Sequence, residues 1–202
     1  CVDQTANSDG FVEVAGILRA HAGTLIKICN DIRLLTLLGE VQPRAMQAGS
    51  SIMPGKVNPV IFESAIQIGL KVDACCGLVF EAASRSTLQI NEFLPLLSSS
   101  LIEAMELLIS GNAMLAAHID HLKADAQECM RSMEHNPVII TAFIPFIGYE
   151  KCEQLLKQYD AHNKDTTIKE YLTAALGNEL VSKVLSPARL MSLGYRAHEK
   201  DS

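Results

Sequence analysis

Val14-Ala15-Gly16-Ile17-Leu18-Arg19-Ala20-His21-Ala22-Gly23-Thr24-Leu25-Ile26-Lys27-Ile28-Cys29-Asn30-Asp31-Ile32-Arg33-Leu34-Leu35 is the stretch whose spacing decides the fold. Val14, Leu18, His21, Leu25, Ile28, Ile32 and Leu35 succeed one another at alternating intervals of four and three, the rhythm of an apolar seam along one helix. The rhythm returns downstream in Ile61, Ala65, Ile68, Val72, Cys75, Val79, Ala82 and again in Leu94, Leu97, Leu101, Ala104, Leu108, Gly111, Leu115. Three long helices of bundle type are therefore predicted. Alternating Val/Thr/aromatic runs are missing and aromatic residues make up only 5% of the chain, so strands have little to form from and the expected class is all-α.

The three helices are apolar outside their seams as well, at Ile17, Ala22, Ile26 and Leu34, at Ile66, Leu70 and Leu78, and at Ile102, Met105 and Met114. Helices apolar on more than one face are buried between several neighbours. Three of them cannot cover one another, so further helices or partner subunits are expected to complete the bundle. The heptads stop at His135-Asn136-Pro137, and Pro137, Pro145 and Gly148 punctuate the apolar stretch from Val138 to Ile147. Residues 1–136 are thus expected to form part of a central helical-bundle domain, and residues 137–202 a small carboxyl-terminal helical domain. In the latter, Tyr149 to Tyr159 reads as a short helix, Thr167 and Glu170 stand at capping-box spacing, and Ser186-Pro187 reads as a helix start.

The bulk composition narrows the function classes. A formal charge of −6 with no Lys/Arg-rich block argues against nucleic acid or an anionic membrane as the main partner and leaves a small polar metabolite open. No uninterrupted apolar run reaches the roughly eighteen residues of a bilayer span, and no basic-then-apolar leader pattern opens the chain. The expectation is a cytoplasmic protein with six reduced cysteines. Cys75 and Cys76 are adjacent and no Cys-x-x-Cys pair occurs, so no metal site is expected. A start at Cys1 without Met, with an amphipathic pattern soon under way, suggests a piece of a longer protein.

Chemistry concentrates between the first two helices, in Gly49-Ser50-Ser51-Ile52-Met53-Pro54-Gly55-Lys56-Val57-Asn58-Pro59. Asn is a strong N-cap and Pro suits the first helical position, so Asn58-Pro59 is predicted to open the second helix. A helix start offers free N–H groups and the positive end of its dipole. Lys56 adds a full positive charge and Asn58 adds side-chain donors, which suits the segment to a carboxylate or phosphate. Ser50 and Ser51 lie at its far end. A serine hydroxyl is a poor base in water, but donors that stabilise its alkoxide and a pocket that holds a carbanion make proton abstraction beside a carboxylate feasible. From the residues alone two readings stay open: a flexible Gly-Ser-Ser turn without chemistry, or a serine base.

The segment resembles the signature of the aspartase/fumarase superfamily, G-S-S-x-M-P-x-K-x-N, unbroken from Gly49 to Asn58. Further similarity lies in Lys27-Ile28-Cys29-Asn30-Asp31-Ile32-Arg33-Leu34-Leu35, in Leu88-Gln89-Ile90-Asn91 and in Pro145-Phe146-Ile147-Gly148-Tyr149-Glu150. The resemblance implies an elimination without a cofactor, in which a proton leaves the carbon beside a carboxylate and ammonia or water departs. Ser50 is then the base, with Ser51, Lys56 and Asn58 binding a small dicarboxylate. Glu63 corresponds to a carboxylate that orients a histidine from a neighbouring subunit; its alternative reading is an ordinary first-turn acid. The resemblance also implies a homotetramer whose sites each draw on three subunits, with this chain supplying one of three regions. The strings at Ile28-Cys29-Asn30 and Leu88-Gln89-Ile90-Asn91 look more like aspartate ammonia-lyases than fumarate hydratases. A non-catalytic assembly module is the alternative from another class. One departure stands out: the Ser-Gly-Pro-Arg stretch usual after Leu34-Leu35 is replaced by Thr36-Leu37-Leu38-Gly39-Glu40.

Other polar residues read as structural. His21 is expected to be a satisfied core group. His118 and His121 lack a third ligand in the sequence. Ser98-Ser99-Ser100 is expected to ease helix packing, and the methionines to fill the core.

Overall fold

The computed structural model describes residues 6–44, 58–160 and 166–192, and the backbone alone of 161–162. Contacts divide the chain into two compact units, Cys1–Asp125 and Ala126–Ser202. The expected all-α class is borne out. Among the described residues the only strands are a two-residue pair, β1 (Val41–Gln42) and β2 (Lys123–Ala124), joined antiparallel.

The first unit is built from α1 (Asp9–Leu37), α2 (Val60–Ala83) and α3 (Leu94–Ile119). Cross-helix partners give their directions. Arg33 meets Glu63 and Arg19 meets Asp73, so α1 and α2 are antiparallel; Lys71 pairs with Glu103 while Ile68 lies against Gly111, so α2 and α3 are antiparallel too. α2 is the central helix, with α1 and α3 packed along it and only lightly on each other. Its buried line, Phe62, Ala65, Gly69, Val72, Cys75, Cys76, Val79 and Ala82, is nearly the seam read from the sequence. The α3 line, Leu97, Leu101, Ala104, Leu108 and Gly111, matches as well.

On α1 the seam is rotated. Ala15, Ala22, Leu25 and Cys29 are buried, whereas Val14 and Ile28 remain 42% and 44% exposed, and His21 stands at the surface beside Asn112, ring Nε2 to side-chain Nδ2 3.1 Å. The cause is the closeness of α1 to α2. A Cβ built on Gly69 would lie 2.6 Å from Ile26 Cγ1 and 3.2 Å from the Ala22 carbonyl oxygen. So close an approach puts Ala22 and the Ile26 side chain on the contact line opposite Gly69 and leaves Val14 and Ile28 facing outward. The second apolar faces are only partly covered: Ala22 is buried and Ile66 and Met114 pack at the helix junction, while Ile17 (71% exposed) and Ile109 (69%) stand open among the described residues.

By length and composition alone α3 is long and apolar enough to cross a membrane. Glu103 and Glu106 interrupt its middle, and Leu97, Leu101, Ala104 and Leu108 are buried in the bundle core. Between α2 and α3, Asn91 is buried. Its side chain donates to Ser8 Oγ (3.1 Å) and accepts from the Phe93 N–H (2.9 Å), tying this turn to the start of α1.

The second unit comprises α4 (Ala126–His135), a 3-10 turn (Pro137–Phe143), α5 (Ile144–Ile147), α6 (Tyr149–His162), α7 (Ile168–Leu176), α8 (Asn178–Val184) and α9 (Pro187–Leu190). Its core gathers Ile140, Phe143, Cys152, Leu155, Ile168, Leu172, Val181 and Val184. The division falls between Asp125 and Ala126, upstream of the 136/137 point read from the sequence, because α4 packs on α7 with Glu134 Oε1 2.7 Å from Lys169 Nζ. The helix starts agree with the sequence. Thr167 Oγ1 accepts from the Glu170 N–H (3.1 Å) while Glu170 Oε2 accepts from the Thr167 N–H (3.0 Å), completing the capping box. Gly177, at φ 87°, ends α7 in a conformation that disfavours a Cβ.

Two substitutions test this packing. Gly69→Val lowers unfolding free energy by about 2 kcal/mol through overpacking, whereas Gly77→Ala, with nothing within 4 Å of the added Cβ, raises it by up to about 1 kcal/mol through helix propensity. Both are measured by urea unfolding. Thr167→Ala removes one half of the capping box and costs about 1 kcal/mol by the same measurement.

Candidate functional site

The end of the first unit where α1 finishes and α2 begins holds the chain's candidate chemistry. Its base is apolar: Cys29, Phe62 and Ala65 are at most 2% exposed, and Ile32, Ile66, Met114, Leu115 and Leu122 pack around them. Burial pushes the Cys29 thiol up, which keeps it protonated and makes it filler rather than nucleophile. The departure after Leu34-Leu35 takes a definite form here. α1 ends at Leu37, Gly39 turns the chain at φ 80°, and β1 then pairs Val41 with Ala124 and Gln42 with Lys123. The Asp125 N–H donates to the Glu40 carbonyl (2.9 Å), and the Gln42 amide donates to Asp125 Oδ2 (3.3 Å). These bonds anchor the segment that leads into the signature.

Pro43 and Arg44 meet Pro59, Val60, Ile61 and Phe62 across a narrow crevice, with His118 and Leu122 on its α3 side. The crevice has room for about one water molecule. His118 Nδ1 donates to the Met114 carbonyl (2.7 Å), since a carbonyl can only accept, and this fixes the tautomer and leaves Nε2 without that proton or as a second donor when charged. Neither Arg44 nor His118 stands in a recognisable spacing with the signature, so the sequence does not mark them as site residues.

Ser50, Ser51 and Lys56 lie outside the described residues, as do Gly49 and Gly55. Asn58 and Glu63 are described, Asn58 just ahead of α2 and Glu63 in its first turn. The helix opens one residue later than the sequence suggests. Pro59 is the cap residue, its carbonyl accepting from the Phe62 N–H (3.0 Å) and the Glu63 N–H (3.1 Å), and Val60 is the first helical position. Asn58 therefore precedes the cap instead of forming it. Its place beside the positive end of α2 still suits an amide that meets an anion.

Glu63 is in the first turn, its carboxylate 39% exposed, with Arg33 Nη2 3.8 Å from Oε1. Arg33 Nη1 in turn donates to Asn30 Oδ1 (3.3 Å), one turn back on α1. Sequence spacing offered no sign of this link, since the partners sit on different helices. Farther along α2, Lys71 Nζ (3.1 Å) and Cys75 Sγ (3.4 Å) converge on Glu103. Burial first, then Glu103, pushes the Cys75 thiol up, and it too stays protonated. Among the described residues no three His, Cys, Asp or Glu side chains gather as a metal site would require.

Comparison with known proteins gives this arrangement a context. Residues 1–73 match the family model described as Lyase. The chain is 37% identical over 165 residues to the class II fumarate hydratase of Corynebacterium efficiens, covering 79% of this chain and 35% of that protein. It is 36% identical over 162 residues to the aspartate ammonia-lyase of Pseudomonas aeruginosa, covering 77% and 34% respectively. The crystal structure of fumarate lyase:delta crystallin from Brucella melitensis, bound to cobalt, superposes with a TM-score of 0.78 at 37% identity, over 94% of this chain and 42% of that one. The chain thus spans about two fifths or less of the length of these relatives. An all-helical fold with a buried α1/α2 junction, an unbroken signature leading into α2 and these matches agree in one assignment: the chain belongs to the aspartase/fumarase superfamily.

Proposed function

We propose that the chain supplies part of the active site of an ammonia-lyase that converts L-aspartate to fumarate. The observation that carries the reading is the unbroken run Gly49 to Asn58, delivered to the first turn of a long helix whose base is packed and whose free N–H groups favour an anion. In this reading Ser50, as its alkoxide, takes a proton from the substrate carbon beside a carboxylate. The electron pair moves into that carboxylate, giving an aci-carboxylate. The pair then returns to form the carbon–carbon double bond, the carbon–nitrogen bond breaks, and ammonia leaves. Ser51, Lys56 and Asn58 hold the carboxylate as its charge builds, which is where fixed donors in a site lower the barrier. Glu63 orients a histidine brought by a neighbouring subunit. The protein works as a cytoplasmic homotetramer in which bundle helices of several subunits cover one another's second apolar faces and pool their site regions.

Hydration of fumarate to malate is the second reading, favoured by the similarity to the Corynebacterium efficiens fumarate hydratase. It needs the same base and the same carboxylate clamp. The residues that lean toward aspartate are scaffold: Cys29 is buried in the helix junction, and Leu88 is 98% exposed in a turn. An assembly role without catalysis is the third reading, and it predicts that the serine is dispensable.

In the protein as it occurs in its source, Ser50→Ala lowers kcat for fumarate formation by about 10²- to 10⁴-fold, the usual contribution of a positioned base. The assay monitors fumarate absorbance. Turnover that survives the substitution removes Ser50 from the chemistry.

A further inference from the structure

We infer that Arg33 is a positioning residue for Glu63, an inference that rests on the catalytic reading of Glu63 given above. The two side chains come from different helices, and their meeting is set from beneath. Cys29 on α1 and Phe62 and Ala65 on α2, all nearly without exposure, lock the helices together directly under the pair. Arg33 and Glu63 therefore face each other at a fixed point of the bundle. Asn30 holds the guanidinium from behind through Nη1 (3.3 Å), which leaves Nη2 pointed at the carboxylate.

Stability does not account for the pair. Its side chains are 42% and 39% exposed and 3.8 Å apart, and ion pairs of that kind contribute little to folding. Function gives it a use. Guanidinium stays charged at any working pH, so at 3.8 Å its positive charge faces the Oε1 side of the carboxylate as an ion pair rather than a hydrogen bond. A carboxylate has two oxygens and several lone pairs, and contact with Oε1 leaves Oε2 able to accept a hydrogen bond from another group. A carboxylate that must align an imidazole is served by such an arrangement: a fixed positive charge of its own chain on one side, and lone pairs left to accept from the imidazole. The pair stands in the helical turn just after Asn58, so the orientation is set beside the signature.

The test is a double-mutant cycle on the protein as it occurs in its source, read as kcat, KM and melting temperature. Arg33→Ala is expected to lower kcat about tenfold with KM and melting temperature nearly unchanged, a coupling of ordinary size for neighbouring groups. Arg33→Lys is expected to restore part of the loss, because a charge returns without the fork. In the Glu63→Gln background, Arg33→Ala is expected to cause no further loss. Additive losses, an unchanged kcat in Arg33→Ala, or loss of kcat only in step with loss of melting temperature overturn the inference. So does an inert Glu63→Gln in an enzyme that Ser50→Ala disables, and that result leaves the serine-base reading standing. A protein that keeps its turnover in Ser50→Ala overturns the catalytic reading and this inference with it. Arg33→Gln, which keeps the length and loses the charge, serves if the alanine variant does not fold.

Discussion

The close approach of α1 to α2 at Gly69 is the constraint on which the described structure of the first unit depends. With no side chain at that position, Ile26 and the Ala22 carbonyl can lie where a Cβ would otherwise stand. The consequence runs along both helices. Ala15 and Ala22 turn inward, Val14 and Ile28 turn outward, and the register between α1 and α2 becomes unique. Interiors pack at the density of organic solids, so a contact this tight leaves little freedom for sliding. Beyond it, Cys29 settles against Phe62 and Ala65, and Arg33 comes opposite Glu63.

That junction also sets the candidate site. α2 begins where the helix pair is most firmly packed, so its free N–H groups have a fixed direction. Pro59 closes the first turn with its carbonyl, and Asn58 stands just before it. On the other flank, β1 holds residues 41–42 against β2, and the crevice between Pro43-Arg44 and Pro59 to Phe62 brings the two flanks together. The chemistry-bearing run therefore connects two anchored ends. A site that must hold its donors within fractions of an ångström benefits from such support.

Much of this was legible in the sequence, and the limits have physical causes. On α2 and α3 the large and small buried residues share one register, so the seams through Val72 and Val79 and through Leu97 and Leu108 could be read from spacing. On α1 the spacing of bulky residues pointed to Val14 and Ile28, while the close contact with α2 required alanine; hydrophobicity does not report interhelix distance. His21 fell on the apparent seam for the same reason and is found at the surface. The β1/β2 pair has two residues a strand, too few for any periodicity. α4 keeps company with α7 because of a contact far away in sequence, Glu134 with Lys169. For helix starts local signals worked: in the first unit Asn58-Pro59 announced the start of α2 to within one residue, and in the second Thr167 with Glu170 announced that of α7. Ser50, Ser51, Lys56, Asn58 and Glu63 came from the signature and the resemblance it carries. Arg33 stands in a string of the resemblance without a role attached to it, and Arg44 and His118 stand outside any, because what makes the three notable is a partner or a crevice across helices.

If the signature run and the α1/α2 junction serve proton removal beside a carboxylate and then loss of ammonia, the reaction itself is the decisive readout. Fumarate absorbance is recorded for the protein as it occurs in its source, supplied with L-aspartate and, separately, with malate, with ammonia determined alongside. The expected result is fumarate and ammonia in equal amounts from L-aspartate. Fumarate from malate alone would assign the second reading, and fumarate from neither substrate would contradict the catalytic role altogether.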